Sequence, residues 1–419
     1  MKPNISTAKM MLVVYLAILW QLPLVMAAEC EIYNLDNENR IEGEYLFVLH
    51  TVEGETSTED YAQNVASKIV ELHPRITVNE SYDNLKTPIL FVQDPDDEVN
   101  GLCDIPEVDF VDANVYTDYM IASTEDDEDC LFQDTYFRLW NLGRIATRAN
   151  PFWQTGYYYK SDDGTGVRVY LFDTGVRTTH NDFTKGTRRA SFGFNAVGGS
   201  DEDNHGHGTH CAGTIMGREY GVAKNASLVS VKVIRDDRSG VTNQVIKGIN
   251  WMVGNAKEHP GRSVASLSIK TDLCPALDSA VTSIDAAGIP AVVASIYNPV
   301  DACLHSPGRV EPAITVTSFH VTEKMDPHAG YGPCVDIFAP GSAILSASHR
   351  SNTATASMDG SSMACAHVAG AVAKYLGKNP TATTKQVKEY IINSGTPDII
   401  KIDKPDTVNL LLYSGCPLV

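Results

Sequence analysis

The segment GVRVYLFDTG (166–175) is an apolar run that ends in an aspartate and a Thr-Gly pair. Further apolar runs follow it, and segments with helical spacing separate them: HGTHCAGTIMG (207–217), SLVSVKVI (227–234), NQVIKGINWMVGNAK (243–257), SVASLSI (263–269), ALDSAVTSIDAAG (276–288), IPAVVAS (289–295) and AITVTSF (313–319). Apolar strands that alternate with helices predict an α/β fold, with a doubly wound, mainly parallel sheet and helices on both faces. Reactive groups in such sheets gather at the carboxyl ends of the strands, which is where Asp173 stands.

Residues 29–121 have a different pattern. Strand-like runs occupy 44–51, 87–93 and 107–115, and a stretch with helical spacing occupies 58–74. One helix among three strands predicts a small α+β domain. The acidic run EDDED (125–129) follows, and such runs are typical of solvated, flexible loops. We therefore place a linker at 122–136 and a larger α/β domain at 137–419.

Residues 1–28 have the three parts of a secretory signal peptide. Lys2 and Lys9 precede a long apolar run, which ends in the small residues Ala27 and Ala28. An uncleaved signal anchor is the alternative, because the run is long enough to span a bilayer. A glutamine and a proline interrupt the run, which favours the cleaved signal and a secreted protein.

The overall composition limits the partners that the protein can have. A net charge of −19 argues against nucleic acid or an anionic membrane surface as the main partner. Of the 419 residues, 43% are hydrophobic, so the chain can bury a sizeable core. A secreted chain can oxidise its nine cysteines, and the odd number leaves at least one without a partner in the chain.

A histidine cluster is the second candidate for chemistry. DNHGHGTHCAG (203–213) holds His205, His207 and His210 among glycines at a predicted helix start. A zinc site is one interpretation, but zinc ligands share a face and a carboxylate or thiolate completes the set. The glycines around His207 favour a close backbone approach instead. We expect no metal at this site and interpret His205 and His210 as structural.

A serine pair is the third candidate. DGSSMACAHVAG (359–370) places Ser361 and Ser362 between a glycine and a predicted helix. The free amides and positive dipole end of a helix start stabilise the charge that forms during acyl transfer. A serine nucleophile also needs a base and a group that orients the base. The chain order Asp173, His207, Ser362 is one of the known orders of an Asp-His-Ser triad.

These motifs resemble those of the subtilisin-like serine proteases (peptidase S8), in the proteinase K branch. DTGVRTTHNDF (173–183) matches the family's aspartate motif, HGHGTHCAG (205–213) its histidine motif and GSSMACAHVAG (360–370) its serine motif. The resemblance implies that Asp173 orients the base, that His207 acts as general base and then acid, and that Ser362 attacks the carbonyl. It implies protein or peptide substrates and no required cofactor. Calcium often stabilises this family, but the residues around Asp398 give no clear ligand pattern.

The resemblance also gives the first domain a role. Zymogens of the family carry an inhibitory propeptide whose tail lies through the active site, and IPEVDFVDANV (105–115) resembles the end of such a propeptide. We therefore expect 29–121 to be the propeptide, the enzyme's own intramolecular inhibitor. We expect the chain to cut itself between Met120 and Gln133.

Four cysteines have counterparts in the family. Cys303 and Cys334 resemble a disulfide of bacterial relatives, whereas Cys211 and Cys365 resemble buried free thiols. A cysteine protease would need one of these two thiols as its nucleophile. A serine occupies that place in this chain, so we reject the cysteine-protease interpretation.

Two stretches depart from the family pattern. In VVASIYNPVDAC (292–303), Tyr297 replaces the asparagine that helps to form the oxyanion hole, and Asn298 is a second candidate donor. Losing such a donor costs about 10²–10³-fold in turnover in subtilisin. In LSIKTD (267–272), the substrate-binding residues are predicted to be Ser268, Ile269 and Lys270. Relatives have Ser-Leu-Gly-Gly there, whose glycines let a substrate pair as an added strand.

Two functions of different classes therefore remain open. The first is a secreted, self-processing serine endopeptidase with a modified oxyanion hole, which the intact set of three triad residues favours. The second is a catalytically impaired, protease-like binding protein, which the altered oxyanion and glycine positions suggest. Self-cleavage that depends on Ser362 distinguishes the two.

Overall fold

The computed structural model describes residues 32–33, 40–51, 57–83, 85, 87–94, 105–119, 138–148, 157, 159–160, 162–258 and 262–415. The predicted signal peptide, the linker at 122–136, the expected cleavage region and Cys30, Cys103, Cys130 and Cys416 lie outside these residues. Below, the described part of 32–119 is called the amino-terminal unit, and the described part of 138–415 the main unit.

The strands of the amino-terminal unit are β1 Ile32–Tyr33, β2 Arg40–Leu49, β3 Thr77–Tyr82, β4 Ile89–Gln93 and β5 Val108–Tyr119. The strands of the main unit are β6 Val167–Asp173, β7 Thr184–Lys185, β8 Thr187–Arg188, β9 Ala190–Asn195, β10 Ser227–Lys232, β11 Gly240–Val241, β12 Arg262–Leu267, β13 Ile269–Asp272, β14 Ala291–Ala294, β15 His305–Ser306, β16 Ile314–Phe319, β17 Ile337–Pro340, β18 Ile344–Ala347, β19 Thr355–Met358, β20 Thr396–Pro397 and β21 Leu410–Leu411. The helices are α1 Thr58–Leu72, α2 Trp140–Ala146, α3 His207–Met216, α4 Thr242–Glu258, α5 Pro275–Ala286, α6 Ser361–Lys378 and α7 Thr384–Ser394.

The main unit contains a nine-stranded sheet in the order β20-β21-β17-β16-β14-β12-β6-β10-β9. Its pairings from β9 to β21 are parallel, and β20 pairs antiparallel at one edge. Strands of such a sheet are buried on both faces, which explains why they are almost continuously apolar. Strand β6 illustrates this, because Val169 and Leu171 enter one hydrophobic cluster while Tyr170 and Phe172 enter the other.

The two clusters lie on opposite faces of this sheet. The first includes apolar residues of α3 and α6, among them Ile215 and Val368, and the second includes Ile249 of α4 and Leu277 of α5. Helices therefore cover both faces of a mainly parallel sheet. The predicted doubly wound α/β architecture is confirmed.

The amino-terminal unit is the predicted small α+β module. Strands β5, β2, β4 and β3 are neighbours in that order, and every pairing among them is antiparallel. Helix α1 begins after Ser57, whose side chain accepts a hydrogen bond from the amide of Asp60. The helix buries Val65 and Ile69 in one cluster with Phe47 and Val111 of the sheet.

The opposite face of the amino-terminal sheet packs on the main unit. Leu46, Val48 and Phe91 belong to the same buried cluster as residues of α4 and α5. Lys247 of α4 forms an ion pair with Glu80 at the edge of this contact. The two units therefore share one hydrophobic core. Among the described residues, no helix is both long enough and apolar enough to cross a bilayer.

Candidate active site

Asp173 is the last residue of β6, at the carboxyl edge of the parallel sheet. Its side chain is 2% exposed, and its Oδ1 accepts a hydrogen bond from the amide of Thr174 at 2.7 Å. The next strand, β10, ends beside it, with Lys232 in register with Asp173. The position agrees with the rule that reactive groups of such sheets lie at the strand ends.

His207 is the first residue of α3 and is fully buried. Its Nδ1 lies 2.7 Å from Asp173 Oδ1. A carboxylate can only accept, so Nδ1 carries the proton and Nε2 is left as the acceptor that a general base needs. The two predicted residues therefore form the orienting half of a triad.

Two glycines allow α3 to approach β6 so closely. Gly206 precedes the helix with φ 110°, a conformation that favours glycine. At Gly208, a Cβ atom would lie 2.0 Å from the carbonyl oxygen of Gly175. The glycines of the histidine motif thus serve the close backbone approach that the sequence predicted.

A second buried carboxylate, Asp203, fixes the loop that leads to His207. Its Oδ1 accepts hydrogen bonds from the Thr174 hydroxyl at 2.9 Å and from the amide of Gly206 at 2.7 Å. Its Oδ2 accepts from the amide and the hydroxyl of Thr209. These bonds join the residue after Asp173 to the first turn of α3. Sequence reasoning missed this role, although Asp203 opens the quoted histidine motif.

Ser362 is the second residue of α6 and is fully buried. Gly360 caps the helix with φ 144° and ψ 162°, a backbone conformation that glycine tolerates. The preceding Ser361 is a poor candidate for the nucleophile, because its hydroxyl already donates a hydrogen bond to the carbonyl oxygen of Ile296 at 3.1 Å. Amides of the first helical turn have no intrahelical acceptor, so the start of α6 provides donors beside Ser362.

Ser268 lies between the serine helix and the histidine helix. Its hydroxyl donates to the backbone oxygen of Ser362 at 3.4 Å and also bonds the Cys211 thiol. The Cys211 sulfur lies 3.9 Å from His207 Nε2. The three predicted triad residues therefore belong to one buried neighbourhood, where α3 and α6 begin.

The buried thiols at this site are poor nucleophiles. Burial raises the pKa of Cys211 well above its usual range and raises the pKa of Cys365 to about 12. A thiol must lose its proton to attack, so both remain inert near neutral pH. Cys211, His207 and Asp173 come close enough to bind an ion together, but a buried thiol and imidazole do not suit calcium.

The other histidines of the motif have separate roles. His210 bonds the carbonyl oxygen of Ile344 at 2.8 Å, and burial lowers its pKa to about 3. Burial chiefly lowers the pKa of His205 as well. Both are thus expected to stay neutral near pH 7.

The two predicted oxyanion donors, Tyr297 and Asn298, have different surroundings in the structure. The Tyr297 hydroxyl lies 3.3 Å from Asp326 Oδ2, and its ring stacks on His328. Burial, followed by the charge of Asp326, raises the pKa of Tyr297. Asn298 is exposed. This geometry favours a packing role for the Tyr297 hydroxyl over a role as oxyanion donor.

The predicted substrate-binding stretch runs into β13, which pairs with the end of the amino-terminal unit and, at Thr271 and Asp272, with β15. In β13, Ile269 and Lys270 pair antiparallel with Tyr119 and Asp118 of β5. On its other side, β5 pairs antiparallel with β11. Strand addition of this kind is a general mode of peptide recognition. The end of the amino-terminal unit therefore occupies the groove between β11 and β13.

The predicted disulfide is present between Cys303 and Cys334. Three other cysteines of the described residues, Cys211, Cys274 and Cys365, are free and buried. Sequence reasoning gave Cys274 no role, and the structure places it at the contact between the two units. Its thiol donates to Asp112 Oδ2 at 3.2 Å.

A buried Asp–His pair at the carboxyl edge of a doubly wound sheet, with a serine at the start of a neighbouring helix, defines a serine hydrolase. Residues 164–408 match the sequence model of the subtilase family, Peptidase_S8, and the chain belongs to this family. It is therefore a serine-type endopeptidase of the subtilisin-like class, with proteins or peptides as substrates.

Similar proteins come from bacteria and fungi. The chain is 39% identical over 325 residues to an extracellular serine proteinase of Thermus sp. strain Rt41A, covering 77% of this chain and 74% of that protein. It is 36% identical over 320 residues to a cuticle-degrading serine protease of Arthrobotrys oligospora, covering 74% and 73%. A crystal structure of a cold adapted subtilisin-like serine proteinase superimposes with a TM-score of 0.61 at 38% identity, over 66% of this chain and 98% of that one.

Proposed function

We propose that the protein is a secreted serine endopeptidase made as a self-processing zymogen. In the proposed reaction, Nε2 of His207 takes the proton of the Ser362 hydroxyl as the oxygen attacks a peptide carbonyl. The imidazolium, stabilised by Asp173, then returns the proton to the leaving amine, and water hydrolyses the acyl-enzyme by the same route. The imidazole carries the serine proton in the first half of the reaction and the water proton in the second, so we propose no cofactor.

The observation that carries the catalytic part is the contact between His207 and Asp173. Nδ1 of the fully buried imidazole lies 2.7 Å from the carboxylate, so the ring has a fixed orientation and tautomer. Such a pair stabilises the positive charge that the ring gains during catalysis. We assign Ser362 as its partner because the hydroxyl of Ser361 already donates to a backbone carbonyl.

The pairing of β5 supports the zymogen part of the proposal. A substrate would have to form the same antiparallel pairing with β13 that residues 118–119 now form. The amino-terminal unit thus competes with substrate for pairing with Ile269 and Lys270 of β13, as an intramolecular inhibitor must. The expected cleavage region, Met120 to Gln133, follows directly after β5 in the sequence.

Secretion is the remaining part of the proposal. The signal-like pattern of residues 1–28 and the disulfide between Cys303 and Cys334 both suit export to an oxidising compartment. One similar protein is named an extracellular serine proteinase.

Intact mass of the full-length chain tests the proposal. We expect the wild type to appear as two fragments, with a break between residues 120 and 133, and the Ser362→Ala variant to stay whole. Ser361→Ala is the matched control and should still be cut. A Ser362→Ala chain that is cut as fast as the wild type would contradict the proposal.

A second function is favoured by the Tyr297 geometry. If the oxyanion hole lacks a donor because the hydroxyl faces Asp326, the protein could bind peptides without cleaving them usefully. In that case both the wild type and Ser362→Ala stay whole.

A further inference from the structure

A lysine lies at the edge of the groove between β11 and β13. Lys270 is half-buried in β13 and lies opposite Asp118 in the register with β5. Directly opposite residues of an antiparallel pair project to the same face of a sheet, with Cβ atoms about 4.5–5.5 Å apart. A peptide in the same register therefore presents one defined side chain to Lys270.

The Lys270 ammonium has no carboxylate partner among the described residues. Asp272, two positions further along β13, lies on the same face, but its carboxylate is 3.8 Å from Nδ1 of His305. Burial chiefly lowers the pKa of His305, the charge of Asp272 raises it, and the charge of Lys270 lowers it by a smaller amount. Lys270 and Asp272 therefore both lie near His305 at this edge of the groove.

A second cation lies by the opposite edge. Arg238, two residues before β11, lies close enough to His205 for its charge to lower the pKa of that histidine, after the larger effect of burial. Asp236 and Asp237 precede Arg238, so the inference rests on Lys270 and not on a net positive charge of the groove. A lysine in a substrate-pairing strand attracts an acidic side chain at the position opposite it.

The chain's own sequence near the groove is acidic. Asp118 stands opposite Lys270, and the run EDDED (125–129) lies inside the expected cleavage region. Opposite charges on facing strands stabilise the pairing, whereas like charges destabilise it. The chain's own residue at the register position of Lys270 is therefore an acid, in agreement with the preference inferred here.

We propose that Lys270 is a specificity-determining residue, and that the enzyme prefers peptides with aspartate or glutamate at the position opposite it. This inference rests on the proposed endopeptidase function. Exposed charge pairs are weak, so we expect about a two- to fivefold preference at low salt. The preference should shrink when salt is raised from 0.02 M to 1 M.

A peptide library derived from a whole proteome tests the inference on the processed wild-type enzyme. Product sequencing gives the residues on each side of every cut. We expect Asp and Glu to be enriched about two- to fivefold at one fixed position before the cut. Equal frequencies of Asp and Glu at every position around the cut would overturn the inference.

Charge reversal gives the second arm of the test. In Lys270→Glu, the enrichment at that same position should change from Asp and Glu to Lys and Arg. Lys257→Glu, at the exposed end of α4, changes the net charge equally and should leave the wild-type preference intact. An unchanged preference in Lys270→Glu would overturn the inference. If neither the wild type nor the two variants cut any peptide, the proposed endopeptidase function itself fails, which is a separate outcome.

Discussion

The carboxylate of Asp112 in β5 accepts a hydrogen bond from the Cys274 thiol at 3.2 Å, across the contact between the two units. The same oxygen accepts from the amide of Ala276 at 3.0 Å, in the first turn of α5. A carboxylate at a helix start is stabilised by free amides and by the helix dipole. Asp112 thus anchors the amino-terminal unit to α5. Its negative charge also contributes to the raised pKa of Asp278, in the first turn of the same helix.

The raised pKa of Asp278 should make the stability of the protein depend on pH. Burial, and to a smaller extent the Asp112 charge, raises its pKa from 3.8 to about 7, although Ser306 and Arg309 act in the opposite direction. An acid whose pKa is raised by folding stabilises the folded state most at low pH. That contribution is lost as the pH rises from about 4 to about 7.

Asp278→Asn should therefore stabilise the chain at pH 8, by an amount on the order of 4 kcal/mol, and by a smaller amount at pH 5, where the unfolded carboxyl is already ionised but the folded one is still protonated. Thermal unfolding of the Ser362→Ala chain, which avoids self-cleavage, measures the effect. Asp285→Asn, at the other end of α5, is the control and should have no such pH dependence. Equal effects of Asp278→Asn at pH 5 and pH 8 would refute the assignment.

Asp173→Asn should lower kcat by about 10⁴-fold, because an amide no longer fixes the imidazole tautomer or stabilises its positive charge. Steady-state hydrolysis of a chromogenic peptide measures the change. Asp182→Asn removes another buried carboxylate, one that accepts from the amide of Glu219, and should leave kcat unchanged. A loss below tenfold in Asp173→Asn would argue against the assigned role of Asp173.

Tyr297→Phe should change kcat less than twofold and destabilise the protein by about 1 kcal/mol, because the hydroxyl donates to Asp326. Peptide hydrolysis and thermal unfolding of the same preparation separate the two effects. A drop of about 10²-fold in kcat would instead make the Tyr297 hydroxyl an oxyanion donor.

Replacing both Cys303 and Cys334 by serine should lower stability by about 3–4 kcal/mol, because their disulfide closes a loop over a sequence separation of 31. Denaturant unfolding with and without a reductant measures the loss. The reductant should destabilise the wild type but not the double variant. Equal stability of the two proteins without reductant would show that the bridge contributes nothing.

Much of the fold could be predicted because the main sheet is buried on both faces. Such strands are apolar throughout, so runs such as Val167–Asp173 stand out in the sequence. The length of β5 was not predictable. The sequence predicts a strand that ends at residue 115. Residues 116–119 extend it because they pair with β11 and β13, which lie far away in the chain.

The site was predictable where chemistry needs particular residues at particular places. Asp173 and His207 lie in glycine-containing motifs, and their contact is as expected. The direction of the Tyr297 hydroxyl was not predictable, because it depends on Asp326 from a distant loop. The contact between Asp112 and Cys274 has no signal in the sequence either, since it joins two independently patterned units.

Labelling by a fluorophosphonate tests the central claim most directly, once the amino-terminal unit has been separated from the processed enzyme. Peptide mapping should find the label on Ser362 alone in the wild type. It should find none in His207→Ala that an added protease has cut between residues 120 and 133 and freed of the amino-terminal unit, because its serine lacks a base. A wild-type enzyme without label on Ser362, or equal labelling of Ser362 in His207→Ala, would contradict the account.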